Sequence, residues 1–462
     1  MNAEALFSAV SVFCRRVLTP ADIVSALPSA IAAARTGGPA VLLLPKDIQQ
    51  AVVGVNGYGG SDGRGFERQG ARIGDPHPIV RALRRATGPI TIIAGEQVAR
   101  DDARSELEEL RALLRAQVAC VPDAKDVAGT PGFGSSSALG VTGVMGHPGV
   151  ADAVAASAVC LVVGTRLSVT ARAGLDDAFA AVRTVSIGSA SPYLPCTHVH
   201  TEDLRGSLTM LTRALSGRGR ARGLRVPHFV ADAELSPPSF AGTGVRYRDA
   251  VVVLDRVLPD GVDIVVDAGN TGAAAIHHLP VRRDGRFAVA LGMGGMGYSF
   301  GAGIGMAFGR AMSNGPSRRT VVIAGDGAFF MHGMEVHTAV QYQLPVTFVL
   351  FNNNAHAMCV TREQLFYDDL YSYNRFAPSQ LGAGLAGMFP GLSSVDVADI
   401  DALPAALERA MAVDGPSVVT VECSADEIPP FAAFLNRQPA NQVVEQQITT
   451  LRENRFHVPS SA

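Results

Sequence analysis

The 462-residue sequence lacks several features that define whole classes of protein. No apolar run approaches the ~18–20 residues that a membrane-spanning helix needs, and the first residues lack the basic segment of a secretory signal peptide. The six cysteines are scattered and include no Cys-x-x-Cys pair, the spacing that redox and zinc sites use. These absences predict a cytoplasmic protein with reduced cysteines and no membrane partner.

Charge is also scarce. Charged residues make up 18% of the chain and hydrophobic residues 47%, and the formal net charge is −3. Lysine occurs only as Lys46 and Lys125, so arginine supplies nearly all of the positive charge. This composition is typical of a globular protein and gives no support to a nucleic-acid partner. The length favours two to four domains.

Two apolar segments end in polar residues at a spacing that indicates a binding site. Segment 320–324 ends in a Gly-Asp-Gly sequence around Asp326, and segment 346–351 ends in three asparagines centred on Asn353. A helical pattern lies between them, so both strands belong to one right-handed crossover and end at the same edge of a sheet. One carboxylate, one amide oxygen and a backbone carbonyl are ligands suited to Mg²⁺ that also holds a phosphate.

The Gly-Asp-Gly sequence and the asparagine pair resemble the cofactor motif of thiamine-diphosphate enzymes. The flanking residues look like those of acetolactate synthases and related 2-keto-acid decarboxylases, namely Met331, Glu335, Thr338-Ala339, Leu344-Pro345-Val346 and Met358. The resemblance covers about residues 1–435 and is strongest over 263–358. It implies thiamine diphosphate and Mg²⁺ as cofactors and leaves FAD undecided.

Helical and strand patterns alternate along the chain and predict an α/β fold with doubly wound parallel sheets. The prediction comprises a central domain, a diphosphate-binding domain and a partial N-terminal α/β remnant, separated by two linkers without periodicity. With the resemblance, the predicted segments are 1–53 (C-terminal remnant of a pyrimidine-binding domain), 54–74 (linker), 75–216 (central domain), 217–244 (linker), 245–435 (diphosphate- and Mg²⁺-binding domain) and 436–462 (tail).

The resemblance implies which residues hold the cofactor. Asp326, Asn353 and the Ala355 carbonyl would bind Mg²⁺. Backbone N–H groups at the start of the following helix can point at phosphate oxygens; the residues of this turn are Gly325, Gly327 and Ala328.

Five further residues complete the implied cofactor site. Asn270 and Thr271 would meet the other side of the diphosphate, although capping of the next helix would explain them as well. Met296 would support the bent cofactor, and the Gly294 carbonyl would accept from its amino group; Met296 as ordinary core is the alternative. Met358 matches a family residue near the reacting centre.

The implied substrate contacts are His332, His356 and Arg362. For both histidines a hydrogen-bonded structural role is the alternative. Arg362 falls where acetolactate synthases usually carry a tryptophan that selects the second keto acid, so an anionic or polar acceptor is expected. Cys359 has no identifiable base partner for a nucleophilic role.

The family also needs a glutamate beside the pyrimidine ring, on a domain of which only the closing segment 37–47 is recognisable here. Neither Glu4 nor Glu335 has that context. We therefore expect little or no activity from the 462 residues alone. A shortened protein, a separate pyrimidine-domain chain and a misassigned start codon all remain compatible with this expectation.

The resemblance predicts an acetolactate synthase-like carboligase that decarboxylates a 2-keto acid and passes the acyl group to an acceptor. The alternatives are a simple 2-keto-acid decarboxylase and a non-catalytic cofactor-binding subunit that needs a partner chain. Because family members place the cofactor between subunits, a homodimer or homotetramer is expected in any active form.

Overall fold

The structure is a computed structural model that describes residues 2–51, 72–128, 138–216, 234–312, 318–368 and 373–435. The chain divides into two compact units, residues 1–70 and 71–462. The predicted tail 436–462 and most of the predicted linkers, residues 54–71 and 217–233, lie outside the described residues.

The first unit contains a small parallel sheet. Its elements are α1 (Ala3–Ser8), β1 (Phe13–Arg16), α2 (Asp22–Ala34), β2 (Ala40–Leu43) and α3 (Lys46–Gln50). β1 and β2 are parallel neighbours joined by α2. All four residues of β2 are half-buried, and Leu18 nearby is 72% exposed.

The second unit begins with a six-stranded sheet of residues 90–200. Its elements are α4 (His77–Arg85), β3 (Ile90–Ala94), α5 (Glu96–Arg100), α6 (Arg104–Leu114), β4 (Gln117–Cys120), a 3₁₀ turn (Pro122–Ala124), β5 (Ala138–Val141), α7 (Gly149–Ala155), β6 (Val159–Val163), α8 (Val169–Arg172), α9 (Asp176–Ala181), β7 (Arg183–Gly188), β8 (Thr197–His200) and α10 (Leu204–Ser216). The strand order is β5-β4-β3-β6-β7-β8, and every pairing is parallel.

Local sequence explains most of this sheet. β3 and β6 read Ile-Thr-Ile-Ile-Ala and Val-Cys-Leu-Val-Val and are buried throughout, as central strands covered on both faces must be. Helix α6 begins only at Arg104, because Asp102 has a left-handed backbone (φ 50°) that separates it from α5. Ile73 bridges to Thr201 and Gly74 donates to His200, so these two residues of the predicted linker join the sheet edge.

A second six-stranded sheet follows in the same unit. Its elements are α11 (Tyr247–Val257), β9 (Asp263–Val266), α12 (Asn270–His278), β10 (Phe287–Val289), α13 (Tyr298–Ala311), β11 (Thr320–Gly325), α14 (Asp326–His332), a 3₁₀ turn (Gly333–Glu335), α15 (Val336–Gln341), β12 (Val346–Asn352), α16 (Ala357–Phe366), α17 (Leu381–Met388), β13 (Ser393–Val397), a 3₁₀ turn (Ile400–Ala402), α18 (Leu403–Met411), β14 (Ser417–Glu422) and α19 (Ala432–Leu435). The order is β10-β9-β11-β12-β14-β13, again wholly parallel.

The predicted fold class, parallel α/β sheets, is therefore confirmed. The predicted crossover is also present, because β11 and β12 are parallel neighbours. The first helix between them starts at Asp326, directly at the end of β11. None of the helices in the described part of the chain has the length and apolar character that a bilayer crossing requires.

Polar contacts join the two large sheets. Lys125, after β4, donates to the last carbonyls of α12 and lies over the Phe287 ring at 4.9 Å from its centroid. Asp126 accepts from the backbone of Phe287 at 3.2 Å. The rings of His147, after β5, and His277, in the last turn of α12, stack at 4.5 Å between centroids. These contacts fix the end of α12 against the first large sheet.

Candidate functional site

Polar residues gather where three neighbouring strands of the second large sheet end. β9, β11 and β12 lie side by side, and all three run in the same direction. Asp267 follows β9, Asp326 follows β11, and Asn353 follows β12. In open parallel sheets, ligands bind in the crevice beyond the carboxyl ends of the strands. This edge is accordingly the candidate site.

Asp326 places a carboxylate at the centre of this edge. Its side chain is buried, with the residue 1% exposed, and accepts hydrogen bonds from Gly327 N at 3.0 Å and Ala355 N at 3.1 Å. The site thus brings Asp326 and Ala355 together across 29 positions of sequence. Burial raises the pKa of Asp326 to about 6, and a bound cation would favour the ionised form.

The three asparagines after β12 have different partners. Asn352 donates to Ser379 O and to the Glu422 carboxylate. Asn354 adopts a left-handed backbone (φ 52°), which asparagine tolerates, and its Oδ1 accepts from Ser379 N at 2.9 Å. Asn353 Nδ2 donates to Tyr247 Oη at 2.9 Å, while its buried Oδ1 has no hydrogen-bond partner among the described residues. Asn353 therefore has an unused acceptor.

Asn270 and Thr271 begin α12 at the same edge and are both buried. The N-cap residue of this helix is Gly269, so neither of them is the cap. Asn270 Nδ2 lies 3.5 Å from Thr361 Oγ1, and its Oδ1 is a second buried acceptor without a partner in the described ranges. A Cβ atom built on Gly325 would lie 3.7 Å from Thr271 Oγ1, which puts Thr271 beside the Gly-Asp-Gly turn.

Met296 and His356 meet over Gly327. A Cβ atom at position 327 would lie 2.6 Å from His356 Nδ1 and 2.9 Å from Met296 Cε. No side chain longer than hydrogen fits there without displacement, so the glycine keeps the turn open to both residues. His356 Nδ1 is buried and without a hydrogen-bond partner within the described residues, and its ring contacts Phe376 edge-on at 4.7 Å.

A buried carboxylate holds the glycine-rich loop that carries Met296. Asp267 is 2% exposed and accepts from Gly297 N at 2.9 Å and from Ser299 N at 2.9 Å. Gly297 has a positive φ of 90°, and a Cβ atom there would lie 2.3 Å from His332 Nδ1. His332, at the end of α14, is exposed but lies against this loop. The end of β9 therefore fixes the loop that reaches the site.

The other predicted residues differ in exposure. Gly294 is exposed with a positive φ of 63°. Ala328 is buried in α14, and Met358 packs at the border of the core. Arg362 is exposed on α16, where it lines a cavity of about 310 Å³ with Cys359, Glu363, Tyr367 and Asn374.

Sequence analysis did not identify four residues that shape the site: Asp267, Tyr247, Asn354 and Thr361. Asp267 and Asn354 stand at strand ends beside recognised residues, so their positions were a usable signal. Tyr247 and Thr361 lie 106 and 91 positions from their partners Asn353 and Asn270. No local pattern in the sequence marks these two contacts.

The donor set fits a hard divalent cation with a diphosphate. A buried carboxylate adjoins Ala355, and two amide oxygens lack partners in the part of the chain described here. Within the same residues, no three His, Cys, Asp or Glu side chains gather as a metal site. One carboxylate with neutral oxygen donors leaves coordination positions for phosphate oxygens, an arrangement that suits Mg²⁺.

Two family profiles match the chain at these sheets. The central domain of thiamine pyrophosphate enzymes matches residues 77–209, and the C-terminal TPP-binding domain of these enzymes matches residues 267–421. The chain therefore contains the central and C-terminal domains of a thiamine pyrophosphate enzyme. The second match includes Asn270, Met296, Asp326 and Asn353.

The chain is also similar to individual acetolactate synthases and to an acetyltransferase. The large subunit of acetolactate synthase isozyme 2 from Escherichia coli is 31% identical over 174 residues, which cover 38% of this chain and 30% of the relative. Acetolactate synthase 2 from Nicotiana tabacum is 25% identical over 442 residues, covering 88% and 62%. Sulfoacetaldehyde acetyltransferase from Castellaniella defragrans is 30% identical over 174 residues, covering 37% and 27%. The chain thus spans less than two thirds of each relative.

A solved structure has the same fold. Benzoylformate decarboxylase from Polynucleobacter necessarius superposes with a TM-score of 0.72 at 16% sequence identity, covering 91% of this chain and 77% of that chain. At this identity the similarity establishes the arrangement of the sheets and carries no information about the substrate.

Proposed function

We propose that this protein binds thiamine diphosphate through Mg²⁺ and that it functions in an acetolactate synthase-like carboligase. The observation that carries the proposal is the unused oxygen of Asn353 at the strand edge that also holds the buried carboxylate of Asp326. Buried acceptors normally have a partner. A cation at this edge would satisfy the acceptor and offset the burial of the carboxylate.

In this proposal Asp326, Asn353 and the Ala355 carbonyl hold Mg²⁺. Asn270 and Thr271 contact the diphosphate from the start of α12. The backbone of the turn after β11 faces the phosphate oxygens, through Gly325, Gly327 and Ala328. The contact of Met296 with Gly327 supports this assignment, since it joins the glycine-rich loop to the same turn.

Thiamine diphosphate supplies the carbanion chemistry when bound. The chain's own residues bind and orient it: Met296 supports the bent form, and the Gly294 carbonyl accepts from the amino group. His356, whose Nδ1 lies beside Met296 over Gly327 and has no hydrogen-bond partner among the described residues, is the first proposed substrate contact. His332, Met358 and Arg362 complete the proposed pocket, with Arg362 facing an anionic or polar acceptor.

Acyl transfer is preferred to simple decarboxylation because the named relatives at 25–31% identity are acetolactate synthases and an acetyltransferase. The substrate is then a 2-keto acid. We further propose a cytoplasmic homodimer or homotetramer, with the activating glutamate supplied by a pyrimidine-binding domain of the same or a separate polypeptide. FAD binding stays open, and a non-catalytic subunit remains the second candidate.

The test begins with binding. Calorimetry should show thiamine diphosphate binding that requires Mg²⁺; no binding with Mg²⁺ present would refute the proposal. Turnover is then assayed with pyruvate, both cofactors and the 462-residue chain, with acetolactate and acetaldehyde measured separately. We expect little product from the chain alone and acetolactate after a pyrimidine-binding domain is added. Acetaldehyde alone would favour the decarboxylase, and visible flavin absorbance in the purified protein would establish FAD.

A further inference from the structure

We propose that Tyr247 is a positioning residue of the cation site, whose hydroxyl fixes the amide of Asn353 so that its oxygen stays available to the cation. The inference rests on the proposed function, because it concerns the ligand Asn353. Tyr247 is the first residue of α11 and lies outside the strand-end residues that form the site.

The direction of the hydrogen bonds follows from the partners of the hydroxyl. Tyr247 Oη lies 3.4 Å from the carbonyl oxygen of Ser424 and 2.9 Å from Asn353 Nδ2. A carbonyl oxygen can only accept, so the single phenolic proton is donated to Ser424. The hydroxyl then accepts from Asn353, which must present its NH₂ group. The amide oxygen of Asn353 is thereby turned away from Tyr247.

Tyr247 is fixed by contacts of its own backbone and ring. The residue is 1% exposed, its backbone N donates to both oxygens of Glu427 at 3.2 and 3.1 Å, and its ring stacks on Phe351 of β12 at 5.9 Å. The position of the hydroxyl is therefore set by contacts that do not involve Asn353. A fixed acceptor of this kind selects one of the two amide orientations.

The selection matters because the two orientations present partial charges of opposite sign to the cation. An amide that presents its oxygen binds a cation, whereas an amide that presents its NH₂ group repels it. Groups that orient metal ligands typically contribute about 10–100-fold to metal affinity. Without the hydroxyl of Tyr247, Asn353 loses the contact that distinguishes the two orientations.

The test replaces Tyr247 by phenylalanine, which keeps the ring and removes the hydroxyl. Mn²⁺ serves as the probe, titrated at saturating thiamine diphosphate with free Mn²⁺ measured by electron paramagnetic resonance. We expect Tyr247→Phe to weaken Mn²⁺ binding about tenfold. The matched control, Tyr342→Phe at a residue 61% exposed, should bind Mn²⁺ as the wild type does.

A double-mutant cycle separates positioning from a structural effect. In the Asn353→Ala background, Tyr247→Phe should weaken Mn²⁺ binding no further, since the amide it orients is gone. An equal loss in both backgrounds, or no loss in either, would overturn the inference. A third variant, Asp326→Ala, distinguishes failure of the proposed cation site from failure of the role proposed for Tyr247. If it leaves Mn²⁺ affinity unchanged, the proposed site fails; if it weakens binding while Tyr247→Phe does not, only the role of Tyr247 is wrong.

Discussion

The two six-stranded sheets are both wholly parallel, yet their carboxyl edges use polar groups in opposite ways. In the first large sheet, Gln97 fills the crevice beyond β3, β6 and β7 and is 2% exposed. Its Oε1 accepts from Ser189 N at 2.7 Å, and its Nε2 donates to Asp101 Oδ2 at 3.0 Å and to Thr201 O at 3.2 Å. One side chain thus satisfies its neighbours from within the protein.

The second large sheet leaves the corresponding crevice unsatisfied. Buried polar atoms of Asn270, Asn353 and His356 find no hydrogen-bond partner in the described part of the chain. Both edges are products of the same α/β architecture, so architecture does not decide which one binds a ligand. Among the described residues, the first edge leaves Thr142 Oγ1 after β5 without a partner, whereas the second leaves three side chains so. This larger unused hydrogen-bonding capacity supports the proposed cofactor site at the second sheet. Four predictions test this comparison.

The largest expected effect is at Asp326. Asp326→Ala should weaken Mg²⁺-dependent binding of thiamine diphosphate by more than ~10²-fold, because loss of a charged ligand exceeds the ~10–100-fold cost of losing an outer contact. Calorimetry measures the affinity. Asp101→Ala, at the edge of the first large sheet, is the matched control and should bind the cofactor normally. Equal affinity of wild type and Asp326→Ala would place the site elsewhere.

The second effect is on stability. Gln97→Ala leaves Ser189 N and Thr201 O without their partner, and we expect a loss of ~2 kcal/mol in the free energy of unfolding. Cofactor affinity should not change. Gln341→Ala, at an exposed residue, should alter stability by less than ~0.5 kcal/mol. Denaturant unfolding measures both variants, and a Gln97→Ala protein with normal stability but impaired cofactor binding would reverse the roles of the two edges.

The third effect is smaller because only a neutral donor is lost. Asn353→Ala should weaken Mg²⁺-dependent cofactor binding about tenfold, less than Asp326→Ala does. Its oxygen has no partner among the described residues to lose, so the free energy of unfolding should fall only by the ~1 kcal/mol of the hydrogen bond from Nδ2 to Tyr247 Oη. The same calorimetric titration applies. A loss as large as that of Asp326→Ala would mean that the amide has more than a ligand's role.

The smallest effect concerns the junction between the sheets. Burial lowers the pKa of His147 and His277 to about 4 and that of His278 to about 3, from 6.5. Between about pH 4 and pH 6.5 the unfolded chain binds more protons than the folded one. The free energy of unfolding therefore falls as the pH drops from about 6.5 to about 4. His277→Gln should reduce the loss between pH 7 and 5 by ~1 kcal/mol.

The control for that experiment is His77→Gln, at an exposed histidine whose side chain is 76% accessible. It should unfold with the same pH dependence as the wild type. If His277→Gln also behaves as the wild type, the acid lability arises elsewhere, and the stacked histidines do not report on the contact between the sheets.

Sequence alone predicted the parts of the site that depend on local pattern. Asp326 and Ala355 are brought together by one strand–helix–strand crossover. Both strands of this crossover are recognisable in the sequence as an apolar run that ends in polar residues. The edge strands β8 (Thr-His-Val-His) and β13 (Ser-Ser-Val-Asp-Val) were not predicted. Both are short, polar and partly exposed, so neither shows the apolar run that marks a central strand.

What sequence could not predict depends on long-range packing. Asn353 Nδ2 donates to Tyr247 Oη, and this hydrogen bond leaves Oδ1 as an acceptor without a partner among the described residues. Whether an asparagine is satisfied or available is a property of its partners, which in this case lie in another helix. The same applies to Gln97, whose sequence neighbourhood gives no sign that it closes a crevice.

The hydrogen bonding of Lys125 has a practical consequence for labelling. Lys125 donates to the carbonyls at the end of α12, and Lys46, in α3 of the first unit, is the other lysine of the chain and is exposed. An amine-directed fluorophore should therefore label Lys46 rather than Lys125 on native protein, with reaction at the α-amino group measured separately by peptide mapping. The emission of such a dye would report on the first unit separately, and its response to thiamine diphosphate would show whether that unit senses cofactor binding.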